Sequence, residues 1–245
     1  ESRPRRRAKT GAAPQIVFRK ENPPLNGLID FHHHVVYGVD DGSRSLEMSQ
    51  EMLRRAYREG VSEIVCTSHI APGYREFPLR RYVRHLNELR SFLKNAHMDL
   101  RLDSGSEIMY SDVVCSQLRD GLIPTLAGTS AVLIEFTPDA PFQRLEQAAL
   151  EVGNAGYQVV FAHVERYACL REGDYLEGLR RDYLVLAQMN ADTILRTGLF
   201  LGDRWSRRML KEGLIDLAAS DAHNVTSRVC KMGECYHYLT KYYGT

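Results

Sequence analysis

Residues 30–42, DFHHHVVYGVDDG, place three histidines and three aspartates where a strand-like run meets a glycine-rich turn. Imidazoles and carboxylates this close are the usual ligands of a divalent cation, so the stretch indicates a metal centre. His32 and His34 are two positions apart, so in a strand they share one face and can bind one cation, while His33 points away. The alternatives are a structural or fortuitous histidine run and, for GVDDG, a surface turn.

Five further segments carry a metal-capable side chain within an apolar run or directly after it. A carboxylate in such a position is costly unless it is paired or bound to a metal, and the alternative for each glutamate is a buried salt bridge. The residues are His69 in TSHIAPGY, Glu107 in GSEI, Glu135 in VLIEF, His163 in FAHVERY, and Asp221 and His223 in ASDAH.

Short apolar runs bounded by turn residues alternate along the chain with amphipathic helical stretches. The runs read as strands buried on both faces: GLIDFH, SEIVCTSH, DLRLDSGSE, AVLIEF, YQVVFAHVE, YLVLAQMN and LIDLAASDAH. The candidate helices are SLEMSQEMLRRAYREG, LRRYVRHLNELRSFLKNA, SDVVCSQLRDG, FQRLEQAALEVGNAG and WSRRMLKEG, and we expect the Tyr-rich end YHYLTKYYG to form a packed terminal helix. Seven β-then-α units predict an α/β fold, a wound TIM-like (β/α)7 barrel, with residues 27–245 as a single domain.

The metal-capable residues share one position in this scheme, the carboxyl ends of the runs. In barrel enzymes the side chains at that pole converge above a rigid floor. Nine candidate ligands exceed what one tetrahedral ion uses, so they imply two or three cations, with Mn, Fe or Zn favoured by a shell without thiolates. The nine are His32, His34, Asp41, His69, Glu107, Glu135, His163, Asp221 and His223.

Clustered cations lower the pKa of a bound water and neutralise charge on a phosphoryl oxygen, which favours phosphoester hydrolysis. Arg166 and Arg228 lie next to the ligand motifs, and a guanidinium fork matches two phosphate oxygens. The alternative for each is an ion pair, for Arg166 with the neighbouring Glu165.

Composition narrows the class of protein. With 32 basic and 31 acidic residues the net charge is +1, which excludes a whole-surface nucleic-acid footprint. Residues 1–26 are basic and then rich in Gly, Ala and Pro, and we expect a mobile, solvated arm there, with contact to anionic lipid or a partner as the alternative. The sequence shows no apolar stretch of signal-peptide or membrane-spanning type.

The five cysteines form an odd set without a C-x-x-C pair, which favours a reducing cytoplasm. None of them is followed by arginine six positions later, so the active-site loop of thiol-dependent phosphatases is absent from the sequence. Any phosphatase activity must therefore use other chemistry.

The motifs DFHHH, GVDDG, TSH, GSEI, LIEF, AHVERY and SDAHN, in this order, resemble the polymerase-and-histidinol-phosphatase (PHP) superfamily. Within it they are similar to the bacterial protein-tyrosine phosphatases of capsule and exopolysaccharide operons. GVDDG together with AHVERY separates this branch from histidinol phosphatases and polymerase domains. The likeness runs from Leu28 to the terminal KYYG, and after SDAHN the family often has Gly-Arg-Pro where this chain has VTSRVC.

The resemblance implies a distorted seven-stranded PHP barrel and a trinuclear, manganese-dependent centre. The family's ligands fall on the nine residues named above, with Asp40 as the substitute for Asp41, and its phosphate-binding arginines fall on Arg166 and Arg228. No role for Asn190, in the Gln-x-Asn strand, follows from the likeness. The implied substrate is phosphotyrosine in the Tyr-rich tail of a bacterial tyrosine autokinase that controls polysaccharide export.

Three functions follow as hypotheses. The first is metal-dependent hydrolysis of phosphotyrosine, and the second is a small-molecule phosphatase of the histidinol-phosphate type. The third is a non-catalytic PHP module that binds a kinase or polymerase, against which the complete ligand set argues. The sequence leaves the oligomeric state open, a homo-oligomer included.

Overall fold

The computed structural model describes residues 27–198 and 202–244. Seven parallel strands pair in sequence order, which confirms the predicted α/β barrel. The predicted arm, residues 1–26, lies outside the described residues. The strands are β1 (Leu28–His33), β2 (Val61–Ile70), β3 (Arg101–Met109), β4 (Ala131–Glu135), β5 (Gln158–Phe161), β6 (Leu186–Asn190) and β7 (Leu217–Ala219).

The segment that follows β7 brings the last strand back to the first. The Asp221 N–H donates to the His32 carbonyl at 2.9 Å, and the His34 N–H donates to the Ala222 carbonyl at 2.9 Å. These bonds nearly close the barrel, and they set the end of β7 beside the histidines of β1.

Helices follow the strands and cover the outside of the barrel. The first helix begins after Ser45, whose hydroxyl accepts the Met48 N–H at 3.3 Å, and its buried residues recur at helical spacing. No helix within residues 27–198 or 202–244 is long and apolar enough to cross a membrane. The helices are α1 (Leu46–Arg58), α2 (Leu79–Asn95), α3 (Val114–Arg119), α4 (Phe142–Asn154), α5 (Tyr175–Tyr183), α6 (Ala191–Arg196), α7 (Arg204–Lys211) and α8 (Met232–Tyr242).

Two helices and two strand ends differ from the sequence prediction. Helix α5 carries Gly178 in its middle and α6 has only 6 residues, so neither shows a strong helical pattern. Strand β5 stops at Phe161, whereas the apolar run continues to residue 165. The run 214–223 contributes only the three residues of β7.

An irregularity in β1 decides which way its histidines face. Asp30 pairs with Ile64 and His33 with Cys66, so three steps along β1 match two along β2. This bulge interrupts the alternation of faces. Phe31 packs on the apolar cluster inside the barrel, and His32, its neighbour, also points inward, towards Glu107.

Apolar side chains fill the lower barrel and form a floor below the candidate ligands. They are Val65, Leu126, Leu133, Val160 and Ala162, all buried. A rigid apolar floor keeps the polar side chains above it at the carboxyl pole.

Candidate metal centre

Glu107, at the end of β3, lies at the middle of the polar cluster and is fully buried. Its Oε2 lies 3.1 Å from His32 Nε2, 3.1 Å from His34 Nε2 and 3.1 Å from His69 Nδ1. Its Oε1 lies 2.7 Å from His163 Nε2. Four histidines from three parts of the chain therefore meet one carboxylate, as the sequence predicted for the carboxyl pole.

The spacing of these atoms fits ligands around cations. An ion about 2.1 Å from each ligand sets neighbouring ligand atoms about 3.0 to 3.4 Å apart. Here His32 Nε2 and His34 Nε2 are 3.2 Å apart, and Asp221 Oδ1 lies 3.4 Å from His32 Nε2. Glu107 Oε2, Asp221 Oδ1 and His223 Nε2 are buried without a hydrogen-bond partner. Buried polar atoms without partners are costly, and a cation would satisfy all three.

Three overlapping groups of donors each have the reach to hold an ion, and Glu107, His34 and His69 each belong to two of them. His163 and Asp41 fall outside these groups, although His163 Nε2 lies between Glu107 and Glu135. Shared members are what adjacent cations with bridging ligands require. The groups are His34, His69 and His223; His32, His34, Glu107 and Asp221; and His69, Glu107 and Glu135.

The two aspartates of the glycine-rich turn have different environments. Asp41 is 67% exposed and directs Oδ1 towards His69 Nε2 at 3.4 Å and His223 Nε2 at 3.7 Å. The Asp40 side chain is only 1% exposed, and its Oδ2 accepts from His34 Nδ1 at 2.9 Å and from the His69 N–H at 3.0 Å. Asp41 thus faces two candidate ligands from the solvent side, and Asp40 orients two candidate ligands.

Hydrogen bonds at Nδ1 fix the orientation of three imidazoles. His32 Nδ1 contacts Gln188 Oε1 at 3.2 Å, and His34 Nδ1 contacts Asp40. His223 Nδ1 contacts the Asp221 carbonyl oxygen at 2.9 Å. With the proton on Nδ1, each ring presents Nε2 to the cluster, the arrangement found around histidine ligands.

Opposite charges dominate the electrostatics of the cluster. Burial would lower the pKa of His32, but the carboxylates of Glu107 and Asp221 outweigh it and raise that pKa above its ordinary value. Burial likewise opposes the charged form of Glu107, yet the surrounding histidines hold its pKa well below the usual range. Burial and then the neighbouring His34 lower the pKa of His223 to about 2. The cluster therefore attracts cations, whether protons or metal ions.

Both predicted arginines reach the cluster through Asp221. Oδ2 of Asp221 accepts from Arg166 Nη2 at 2.5 Å, from Arg228 Nη2 at 2.8 Å and from Asn190 Nδ2 at 2.8 Å. The two guanidinium groups line one small cavity of about 210 Å³ and remain partly exposed. Arg166 thus pairs with Asp221, whereas the neighbouring Glu165 side chain accepts the Asn190 N–H.

Two candidate ligands lie in backbone conformations that are rare for residues with a side chain. His163 has φ of 32° and Asp221 has φ of 51°. Such left-handed conformations cost about 1 to 2 kcal/mol each and persist only where the surroundings enforce them. Here the turn after β5 allows His163 Nε2 to reach Glu107, although the strand has already ended.

Sequence reasoning missed two residues that position the site. Gln188 is fully buried, and its Oε1 also accepts the His163 N–H at 2.7 Å, while its Nε2 donates to Asn190 at 2.8 Å. A Cβ at Gly42 would lie 2.4 Å from the His34 carbonyl oxygen, so only glycine allows this close approach. The signal for Gln188 was its spacing two residues before Asn190, on the same face of β6.

Comparisons with known proteins find two named relatives that are similar over most of the chain. Tyrosine-protein phosphatase CpsB of Streptococcus pneumoniae is 31% identical over 223 residues, which cover 89% of this chain and 91% of that protein. Tyrosine-protein phosphatase YwqE of Bacillus subtilis strain 168 is 30% identical over 226 residues, covering 89% and 86%.

Solved structures extend the comparison to the fold. One from a study of YwqE and CpsB, there described as unique metal-dependent tyrosine phosphatases, superposes with a TM-score of 0.81 at 29% identity and covers 89% of this chain and 88% of that one. Histidinol phosphate phosphatase of Lactococcus lactis shares the fold, with a TM-score of 0.55 at 15% identity, covering 87% of this chain and 92% of that one. The model of the family described as capsular polysaccharide synthesis, CpsB/CapC, matches residues 28–245. Because the family model matches residues 28–245 and the relatives match most of the chain, the chain belongs to the CpsB/CapC family.

Proposed function

We propose that this chain is a metal-dependent protein-tyrosine phosphatase. The observation that carries the proposal is the convergence of imidazole and carboxylate atoms on Glu107 Oε2, with Arg166 and Arg228 beside them. The named relatives, tyrosine-protein phosphatases, support it. The nine residues predicted from the sequence are the proposed metal ligands.

Bound ions, two or three divalent cations, would supply an activated water and neutralise charge on the phosphoryl group. Manganese is the proposed metal, with iron or zinc as alternatives, because imidazole and carboxylate donors suit all three. The protein contributes fixed donor positions through Gln188 and Asp40, so that little reorganisation is needed when an ion binds.

Arg166 and Arg228 are proposed to bind the phosphate. Both donate to Asp221 Oδ2, so both are held next to the cluster with donors to spare. Replacing either by alanine should lower kcat/KM about tenfold to hundredfold, the value of one hydrogen bond to a charged group. Arg54→Ala on α1 is the matched control, because Arg54 pairs only with Glu51 on that helix among the ion pairs of the described chain.

The cysteines support a mechanism without a thiol nucleophile. Burial raises the pKa of each, so none is activated as a thiolate. They are Cys66, Cys115, Cys169, Cys230 and Cys235. Because all five are free, we also propose a reducing cytoplasm as the compartment.

Chelation and alkylation separate the two kinds of phosphatase. The protein loaded with Mn(II) should hydrolyse a phosphotyrosine peptide, lose that activity in EDTA and keep it after iodoacetamide. Full activity in EDTA together with loss in iodoacetamide would refute the proposal.

Substrate choice separates the two enzymatic hypotheses. We propose the phosphotyrosine tail of a bacterial tyrosine kinase of polysaccharide export as the substrate, supported by the family's link to capsular polysaccharide synthesis. Turnover of a phosphotyrosine peptide should exceed that of histidinol phosphate, and the reverse preference would favour the small-molecule alternative. Less than one equivalent of bound metal after growth with manganese would favour a non-catalytic module.

A further inference from the structure

A cavity of about 430 Å³ opens at the carboxyl pole beside the metal centre, over strands β2, β3 and β4. Its walls are aromatic and aliphatic, with one guanidinium at the edge. The residues that form it include Ala71, Tyr74, Met109, Tyr110, Phe136 and Arg144. No candidate ligand lines it, and neither predicted phosphate-binding arginine does.

Three of the backbone segments that carry candidate ligands also supply residues to the wall of the cavity. Met109 lies two residues beyond Glu107, on the same face of β3, and pairs with Glu135 on β4. Neighbouring strands are about 4.8 Å apart, so Met109 borders the end of β4 directly. Phe136 follows Glu135, and Ala71 lies two residues beyond His69. Three candidate ligands therefore each have a cavity residue one or two positions later.

Two of the candidate ligands next to the recess are partly open to solvent. The side chains of His32 and Glu107 are fully buried, whereas that of His69 is 26% exposed and that of Glu135 is 12% exposed. The opposite side of the opening carries Arg166 and Arg228 and their small polar cavity. A phosphate monoester bound at the centre would thus have arginines on one side and an apolar recess on the other.

The walls of the recess are held in place before any ligand binds. Tyr110 donates to Glu151 Oε2 at 2.7 Å, and the Arg144 guanidinium lies over its ring at 4.5 Å. The Phe136 ring packs against Tyr110 with centroids 5.8 Å apart. Tyr74, 73% exposed, stands at the mouth. A preorganised aromatic wall favours an aromatic occupant, which it contacts edge to face or by offset stacking.

We propose that this recess binds the phenyl ring of phosphotyrosine and so selects aryl over alkyl phosphates. The inference rests on the proposed function, because it takes the phosphate to lie at the metal centre. In an aryl phosphate only one oxygen joins phosphorus to the ring, so the ring must lie directly beside the phosphate. A phosphoserine side chain has no ring and would leave the apolar walls uncovered. Selectivity then comes from buried apolar area.

Binding of two small phosphonates tests the recess without any turnover. Phenylphosphonate and methylphosphonate are titrated into the Mn(II)-loaded protein, and we expect the phenyl compound to bind about tenfold more tightly or better. Tyr74→Ala should reduce this preference about threefold to tenfold, the range of one aromatic contact. Ala71→Leu, which narrows the recess, should abolish it. Affinity for methylphosphonate should stay within twofold, about the scatter of such titrations, in both variants.

The matched control is Tyr57→Ala, which removes a 44% exposed tyrosine from α1, away from the recess. It should leave both affinities unchanged. Equal affinity of the wild-type protein for the two phosphonates would overturn the proposal, as would a parallel loss of both in the variants. The proposal would also be overturned if the variants changed the binding of phosphotyrosine peptides but not of phenylphosphonate, because the recess would then bind a residue next to the phosphotyrosine.

Kinetics distinguish failure of the recess from failure of the proposed function. A protein that prefers phenylphosphonate, and loses the preference in Tyr74→Ala, supports the recess even if it hydrolyses no phosphotyrosine peptide, which would refute the activity alone. A protein that hydrolyses phenyl phosphate and glycerol phosphate with equal kcat/KM, and binds both phosphonates equally, keeps a phosphatase function and refutes the recess.

Discussion

Replacing Gln188 by leucine tests how far the metal centre depends on residues that do not touch the metal. Gln188 makes three buried hydrogen bonds, to His32 Nδ1, to the His163 N–H and to Asn190. Leucine has nearly the same shape and makes none of them. The His32 and His163 donors then stay buried without an acceptor.

The magnitude follows from these contacts. At about 1 kcal/mol for each of the three bonds, the free energy of unfolding should fall by about 3 kcal/mol. His32 also loses the partner that directs Nε2 towards Glu107, and loss of such a partner typically weakens metal binding 10- to 100-fold, or about 1.4 to 2.7 kcal/mol. We therefore expect a smaller metal affinity as well as a lower stability.

The assay measures Mn(II) affinity by competition with a chelator and stability by denaturant unfolding of the metal-free protein. Gln158→Leu is the matched control, because Gln158 lies at the start of β5 and donates to the Leu184 carbonyl at 2.8 Å. It should lose about 1 kcal/mol of stability and keep the wild-type metal affinity. Wild-type metal affinity in Gln188→Leu would refute the positioning role.

Three other predictions concern the same pole. Gly42→Ala should weaken Mn(II) binding at least about tenfold, measured by chelator competition, because the added Cβ would displace His34. Gly153→Ala is the control: a Cβ there meets open space, so the free energy of unfolding should rise by about 0.5 to 1 kcal/mol. His33→Leu should leave unfolding free energy within about 1 kcal/mol of the wild type or raise it, since both ring nitrogens are buried without partners; a loss above 3 kcal/mol in denaturant unfolding would contradict this. The metal-free protein should lose stability as pH rises above 6.5. The pKa values of His32 and His34 are raised in the folded state, so their protonation stabilises the fold at and below pH 6.5, and this contribution is lost as they deprotonate. Thermal unfolding with and without Mn(II) across pH 6 to 9 measures it, and equal pH dependence in both forms would count against the idea.

That the candidate ligands come together could be predicted from the sequence because their convergence depends on a simple rule. Parallel strands of a barrel end at one pole, so a polar residue at the end of each apolar run must approach the others. Glu107 and His69, far apart in the chain, come together for this reason. The period of a strand predicted that His32 and His34 share a face, but His34 lies beyond the end of β1 and a bulge interrupts that strand. Asp221 and His223 likewise lie beyond β7, so a turn places them.

The remaining features depend on tertiary pairing and leave little trace in the local pattern. The bulge that turns both Phe31 and His32 inward is set by the register of β1 against β2. The left-handed turn at His163 depends on Gln188, 25 residues later, which accepts the His163 N–H. The apolar recess combines residues of the three segments that follow β2, β3 and β4 with Met109 at the end of β3 and Arg144 in α4, and no local pattern in the sequence links them.

The backbone strain and the charges at this pole are connected, because the residues with strained backbones also make the charged contacts of the cluster. His163 and Asp221 both have left-handed backbones. The His163 N–H donates to Gln188, and the Asp221 carboxylate accepts from Arg166, Arg228 and Asn190. In the metal-free protein, protons on His32 and His34 balance the carboxylates of Glu107 and Asp221. Metal ions would displace those protons, so metal binding should release protons. The bound ions would then stabilise the strained turns in place of the protons. Metal binding and the stability of this pole are therefore expected to rise and fall together.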